Sequence, residues 1–145
     1  MGTHDSYGKA VMRKAAGLAF RERGATVMVS YGTKGGATID GVVGNSIAVE
    51  IESRVSKQVR GALLDLICHT YPKKLLVLVP VHMPNPILCS DQCREILGRF
   101  LKPDDYRVVV LAGTGFAGAI ETDAETVRTA LAHLGFNAGP SGFGV

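Results

Sequence analysis

The stretch 38–60, TIDGVVGNSIAVEIESRVSKQVR, constrains the fold of this chain more than any other. From Ile47 to Glu52 the acids alternate with β-branched residues, which is the two-residue period of a strand. Ala48, Glu50, Glu52 and Arg54 therefore share one face, and Ile47, Val49 and Ile51 take the other. Asp40 lies on an apolar, strand-like run just before Gly44-Asn45-Ser46, so the two runs form a hairpin whose register decides where Asp40 points. A two-residue turn pairs Val43 with Ser46, sets Asp40 opposite Val49 and sends it away from the glutamates. A three-residue turn pairs Val43 with Ile47 and sets Asp40 opposite Glu50, with Ile39, Val43, Val49 and Ile51 together on the apolar face. The second register is expected, because it alone sorts the charges to one side. Like charges directly across a ladder destabilise it by roughly 0.2–1 kcal/mol, and a divalent cation held by the carboxylates would offset that cost. The plainer reading of Glu50, Glu52 and Arg54 is the solvated face of an edge hairpin.

At 145 residues, 46% hydrophobic and 20% charged, the chain has the composition of one ordinary globular domain over 1–145, with the glycine-rich residues 137–145 expected to form a flexible tail. No run is apolar for the roughly 18 residues of a membrane span and no signal-peptide core is present, so a cytoplasmic location is expected. A net charge of +3 permits a polyanionic partner without requiring one.

Before the acidic hairpin, residues from Asp5 or Ser6 to Arg23 read as a basic helix with a stripe of Tyr7, Val11, Ala15 and Leu18, ended by Gly24. Its Lys9 and Arg13 are candidate phosphate contacts. Thr26 to Tyr31 reads as a first strand, followed by a glycine loop carrying Lys34. After the hairpin, Ser56 is expected to cap a helix running to about Tyr71, with Lys57, Gln58 and Arg60 in its opening turn beside the acidic strand. Lys74 to Val81 reads as a strand buried on both faces. A helix capped by Ser90 and carrying Cys93, Ile96, Leu97, Phe100 and Leu101 follows, then a strand over Tyr106 to Ala112, and a last helix opened by a Thr122/Glu125 capping box and ending at Leu134. Antiparallel hairpins come first and crossovers afterwards, which implies a mixed α/β sheet flanked by helices.

An initial helix, a three-strand meander with Asp40 on the second strand and Glu50-x-Glu52 on the third, then a helix and a central strand, resembles the PD-(D/E)XK nuclease superfamily over about Ser6 to Val81. The resemblance implies a restriction endonuclease-like fold with core order αβββαβ and an added αβα, and a metal-dependent endonuclease that hydrolyses phosphodiester bonds in DNA. Asp40 takes the place of the family's Asp, Glu50 that of its Asp/Glu, and Glu52 that of its Lys, as in a Glu-x-Glu subgroup. Thr38-Ile39 stands where the name motif has Pro. On this reading Asp40, Glu50 and Glu52 hold Mg²⁺, for which Mn²⁺ can substitute, and Lys57 and Gln58, or Arg54, give the help the usual Lys provides. Lys9, Arg13, Lys34, Arg54 and Arg60 are the nucleic-acid-binding candidates, and a homodimer or a partner subunit completes recognition of DNA. A catalytically inactive nuclease-fold subunit that binds nucleic acid or takes part in assembly is the alternative.

Two other patterns carry less. Cys68, Cys89 and Cys93 are an odd number without a second close pair, which argues against both a disulfide framework and a zinc site with His69 or His82. Gly113-Thr114-Gly115-Phe116-Ala117-Gly118 follows a strand as a dinucleotide cradle would, but the helix signal begins only at Thr122 and no later strand supplies a ribose-binding acid.

Overall fold

The computed structural model describes residues 3–32, 36–55, 57–113 and 119–137. Helix α1 (Thr3–Ala16) is followed by strands β1 (Phe20–Arg21), β2 (Met28–Ser30), β3 (Gly36–Thr38), β4 (Gly41–Val43) and β5 (Ile47–Glu52). Then come α2 (Lys57–Cys68), β6 (Lys73–Leu78), α3 (Pro86–Leu97), β7 (Tyr106–Val110) and α4 (Ile120–His133). Five strands form one sheet in the order β1-β4-β5-β6-β7, while β2 and β3 pair apart as an antiparallel ribbon. The β1-β4-β5 side is antiparallel and the β5-β6-β7 side parallel. The expected mixed α/β sheet flanked by helices is present.

Alternation along the strands assigns the helices to faces. Val43, Ile47, Val49, Ile51, Leu75 and Val77 pack against α1 and α4. Val42, Ala48, Leu76, Leu78 and Val108 pack against α2 and α3. The aliphatic run of β6 is buried on both faces because both layers cover it. No described helix is long and apolar enough to cross a membrane.

The hairpin register is the one expected: Val43 pairs with Ile47, Val42 with Ala48 and Gly41 with Val49. Gly44 turns the chain at φ +59, a conformation that costs glycine nothing. Asp40 itself lies in the bend between β3 and β4 rather than on a strand, and Ile39 packs with Val27, Val29 and Val42 on the α2/α3 side, not with Val49 and Ile51. The chain changes sheets at this point, so the two-residue alternation is broken there.

Several boundaries differ from the sequence reading. The first helix ends at Ala16, because Gly17 adopts φ +60; Leu18, expected in the apolar stripe, is 99% exposed, and the chain then re-enters the sheet as β1. A two-residue strand leaves no periodic signal. Asn85 caps α3 by accepting from Leu88 N at 3.0 Å with Pro86 at the first helical position, so Ser90 sits inside the helix. Thr122 does not cap α4, which starts at Ile120 and docks on the end of β7 through Asp123. Ser56, Lys34, the Gly115 and Gly118 positions of the glycine motif and all of the 137–145 tail except Asn137 lie outside the described residues.

Candidate active site

β5 is the third strand of five, paired on both sides, and covered on both faces. Glu50 and Glu52 are only 7% and 4% exposed. Their face is therefore not the solvated side of an edge hairpin; α2 lies over it. Alternation marks which residues share a face but not whether water or a helix covers that face.

The pairing of β4 with β5 stops at Gly41 opposite Val49. Side chains continue it. Asp40 N–H donates to Glu50 Oε1 at 2.9 Å, and Ile51 N–H donates to Asp40 Oδ2 at 2.7 Å. The Asp40 carboxyl faces that of Glu50 closely enough to act on it. Burial first, then the charge of Asp40, push the Glu50 carboxyl up to about 9, and Glu52 adds in the same direction.

A cleft of about 280 Å³ opens above this pair at the carboxyl end of β5, the end at which open α/β sheets bind ligands. Its far wall is α2, which contributes Gln58, Gly61 and Asp65, three positions at helical spacing on one face. Asp65 is a fourth acid, whose carboxyl burial raises above its ordinary value. Its position seven residues after Gln58 is the sequence signal for it, legible once the cleft side of α2 is known.

Glu52 is placed differently from Asp40 and Glu50. Its Oε2 accepts from Ser53 N (3.0 Å), Arg54 N (2.8 Å) and Arg54 Nε (2.9 Å), and its Oε1 from Arg54 Nη2 (3.3 Å). Among the described residues no group of three His, Cys, Asp or Glu side chains is arranged to hold a metal. Of the three carboxylates expected to converge, Asp40 and Glu50 face each other, while Glu52 turns onto its own backbone and onto Arg54.

The basic candidates among the described residues lie on different surfaces. Gln58 and Arg54 line the cleft, while Lys57 is exposed in the first turn of α2 and is not part of the lining. Lys9 and Arg13 lie on α1, across the sheet, and both pair with Glu22, at 3.3 and 2.5 Å. The apolar residues Tyr7, Val11, Met12 and Ala15 hold α1 on the Val49/Ile51 face, which fixes these two bases away from the acids. Arg60 lines a separate cavity of about 360 Å³ between α2 and α3, with Cys89, Cys93 and Arg99.

Comparison with protein-family models, with curated proteins and with solved structures gives no match.

Proposed function

We propose that this chain is a metal-dependent endonuclease hydrolysing phosphodiester bonds in DNA, with Asp40 and Glu50 as the residues that hold Mg²⁺ or Mn²⁺. The observation that carries the reading is the Asp40–Glu50 pair: a buried and a half-buried carboxyl that face each other, each accepting a backbone N–H, at the base of a cleft. Both cannot ionise there without a counter-charge, and the alternatives are one proton or a cation. The donor set fits Mg²⁺, which binds through one or two carboxylates and completes its shell with water and substrate phosphate oxygens. Such an ion lowers the pKa of a bound water and neutralises charge on the phosphate. The chain's own groups do the rest. Asp40 and Glu50 fix the site rigidly, Gln58 offers a hydrogen-bonding amide on the opposite wall, and Arg54 brings positive charge to a cleft whose other charged lining residues are acids. A second copy or a partner chain would complete recognition of the duplex.

The other reading, a nuclease-fold subunit that binds nucleic acid without cutting it, is favoured by Glu52 standing where the family's Lys is expected and being tied to Arg54. Incubation with supercoiled plasmid, branched DNA and RNA in Mg²⁺, Mn²⁺ or EDTA separates the two. Cleavage in Mn²⁺ that is lost in EDTA and falls by about 10² or more in Asp40→Asn and Glu50→Gln is the expected result. Metal-independent binding with no cleavage of any of these substrates selects the second reading.

A further inference from the structure

A phosphodiester approaching the cleft meets Asp40, Glu50, Glu52 and Asp65, so its charge needs an answer from the protein as well as from any ion. Among the described residues lining the cleft, Arg54 is the cationic one. Its side chain is 60% exposed, whereas that of the glutamate holding it is 6% exposed. Glu52 is itself held by two backbone N–H groups, at 2.8 and 3.0 Å, and grips the guanidinium through both carboxylate oxygens. Backbone fixes carboxylate, and carboxylate fixes guanidinium. An oxygen that already accepts three N–H groups has its lone pairs engaged, which leaves Oε2 unsuited to an ion as well.

We infer that Glu52 is not a third metal ligand but the positioning residue for Arg54, whose guanidinium is the phosphate-binding cation of this site. This inference rests on the nuclease reading and divides the labour within it. The position that aligns with the family's Lys holds an acid, and the positive charge is carried two residues later. A planar fork held at one edge keeps its orientation when an anion arrives, which a flexible ammonium does not. The Glu52–Arg54 pair therefore orders a phosphate contact before substrate binds, at little cost in side-chain freedom during association.

The test measures metal and DNA separately. Calorimetric titration of the protein with Mn²⁺, without DNA, is compared for wild type, Glu50→Gln and Glu52→Gln. Affinity should fall by about tenfold or more in Glu50→Gln and stay within about twofold in Glu52→Gln. Duplex binding is then followed against salt in Ca²⁺. Arg54→Gln should make the log–log slope shallower by about 0.9, the value of one phosphate contact. Adding Glu52→Gln to Arg54→Gln should change the slope no further, since one residue acts through the other. Arg54→Gln alters an exposed side chain, so it remains informative if Glu52→Gln does not fold. Equal losses of Mn²⁺ affinity in Glu50→Gln and Glu52→Gln would make Glu52 a ligand and overturn the inference alone. An unchanged salt slope in Arg54→Gln would overturn it as well. A wild-type protein that takes up no Mn²⁺ would instead overturn the nuclease reading on which it rests.

Discussion

Asp123 on the α1/α4 side of the sheet and Glu50 on the α2/α3 side are both buried, at 1% and 7% exposed, yet their surroundings are opposite in kind. Asp123 accepts from Tyr7 Oη at 2.5 Å, from Ala112 N at 2.6 Å and from Gly113 N at 2.9 Å. Three donors converge on it from α1 and from the end of β7, and it fastens α4 to both. Glu50 receives the N–H of Asp40 and faces that residue's carboxyl. A carboxylate supplied with donors is a structural fastening. One set against a second acid holds electrostatic tension, and such tension is characteristic of sites that bind something.

The largest expected effect follows from that contrast. Asp123→Ala removes the acceptor of two buried donors and one part-buried donor and should destabilise the fold by about 3 kcal/mol or more, read from urea unfolding at neutral pH. Glu50→Gln, measured in EDTA, should leave the midpoint unchanged or raise it, because the amide keeps the side chain's shape and, unlike the carboxyl, needs no proton taken up on folding to stay neutral beside Asp40. The comparison breaks if Glu50→Gln proves the more damaging of the two.

Acidity sharpens it further. Glu50 has its folded-state pKa raised from 4.5 to about 9. Between those values the folded protein binds more protons than the unfolded chain, so stability falls as pH rises. The contribution is present in full below pH 4.5 and is lost progressively toward pH 9, with a slope no steeper than about 1.4 kcal/mol per pH unit for the single proton. Unfolding midpoints of the EDTA-treated protein from pH 5 to 9 should decline, and the decline should be shallower in Glu50→Gln. Mn²⁺ should flatten it too, because a bound ion would take the place of the proton on Glu50. A Glu50→Gln profile parallel to wild type would place the titrating group elsewhere.

The same contrast explains how far the sequence could be read. The 47–52 alternation and the Gly44-Asn45-Ser46 turn are local signals, and both the register and the Asp40–Glu50 encounter followed from them. What covers a strand face is not local. Glu50 and Glu52 alternate with aliphatics whether water or α2 lies above them, so their burial was not legible, nor was the turning of Glu52 onto Arg54. β1 was hidden because Phe20 and Arg21 continue a helical pattern until Gly17 is seen to end the helix. Lys9 and Arg13 read as candidate phosphate contacts because charge can be counted from sequence, while their separation from the acids follows from the sheet face α1 packs on, which is set by long-range packing. The starts of α3 and α4 were missed where two capping signals competed: Asn85 with Pro86 over Ser90, and the docking of Asp123 over the Thr122 box.

The smallest effects test the two faces through a pair of glycines. Gly8 in α1 and Gly61 in α2 both stand inside helices that flank β5. A Cβ on Gly8 would run into Ile51 Cγ2, with Val79 Cγ2 at 3.5 Å, whereas a Cβ on Gly61 would meet nothing within 4 Å. On the closed face the glycine is what lets α1 settle on the strand, so Gly8→Ala should cost about 1–3 kcal/mol through overpacking. Beside the cleft the glycine only weakens the helix, so Gly61→Ala should raise stability by about 0.5–1 kcal/mol. Opposite signs in thermal melts of the two variants are the expected outcome. Because Gly61 lines the cleft, its substitution also narrows the approach to Asp40 and Glu50, and a more stable protein that cleaves DNA less well would show that this space is kept for substrate. Stabilisation by Gly8→Ala would mean that α1 is not seated against Ile51, and the contrast between the tight α1 contact and the cleft beside α2 would fall with it.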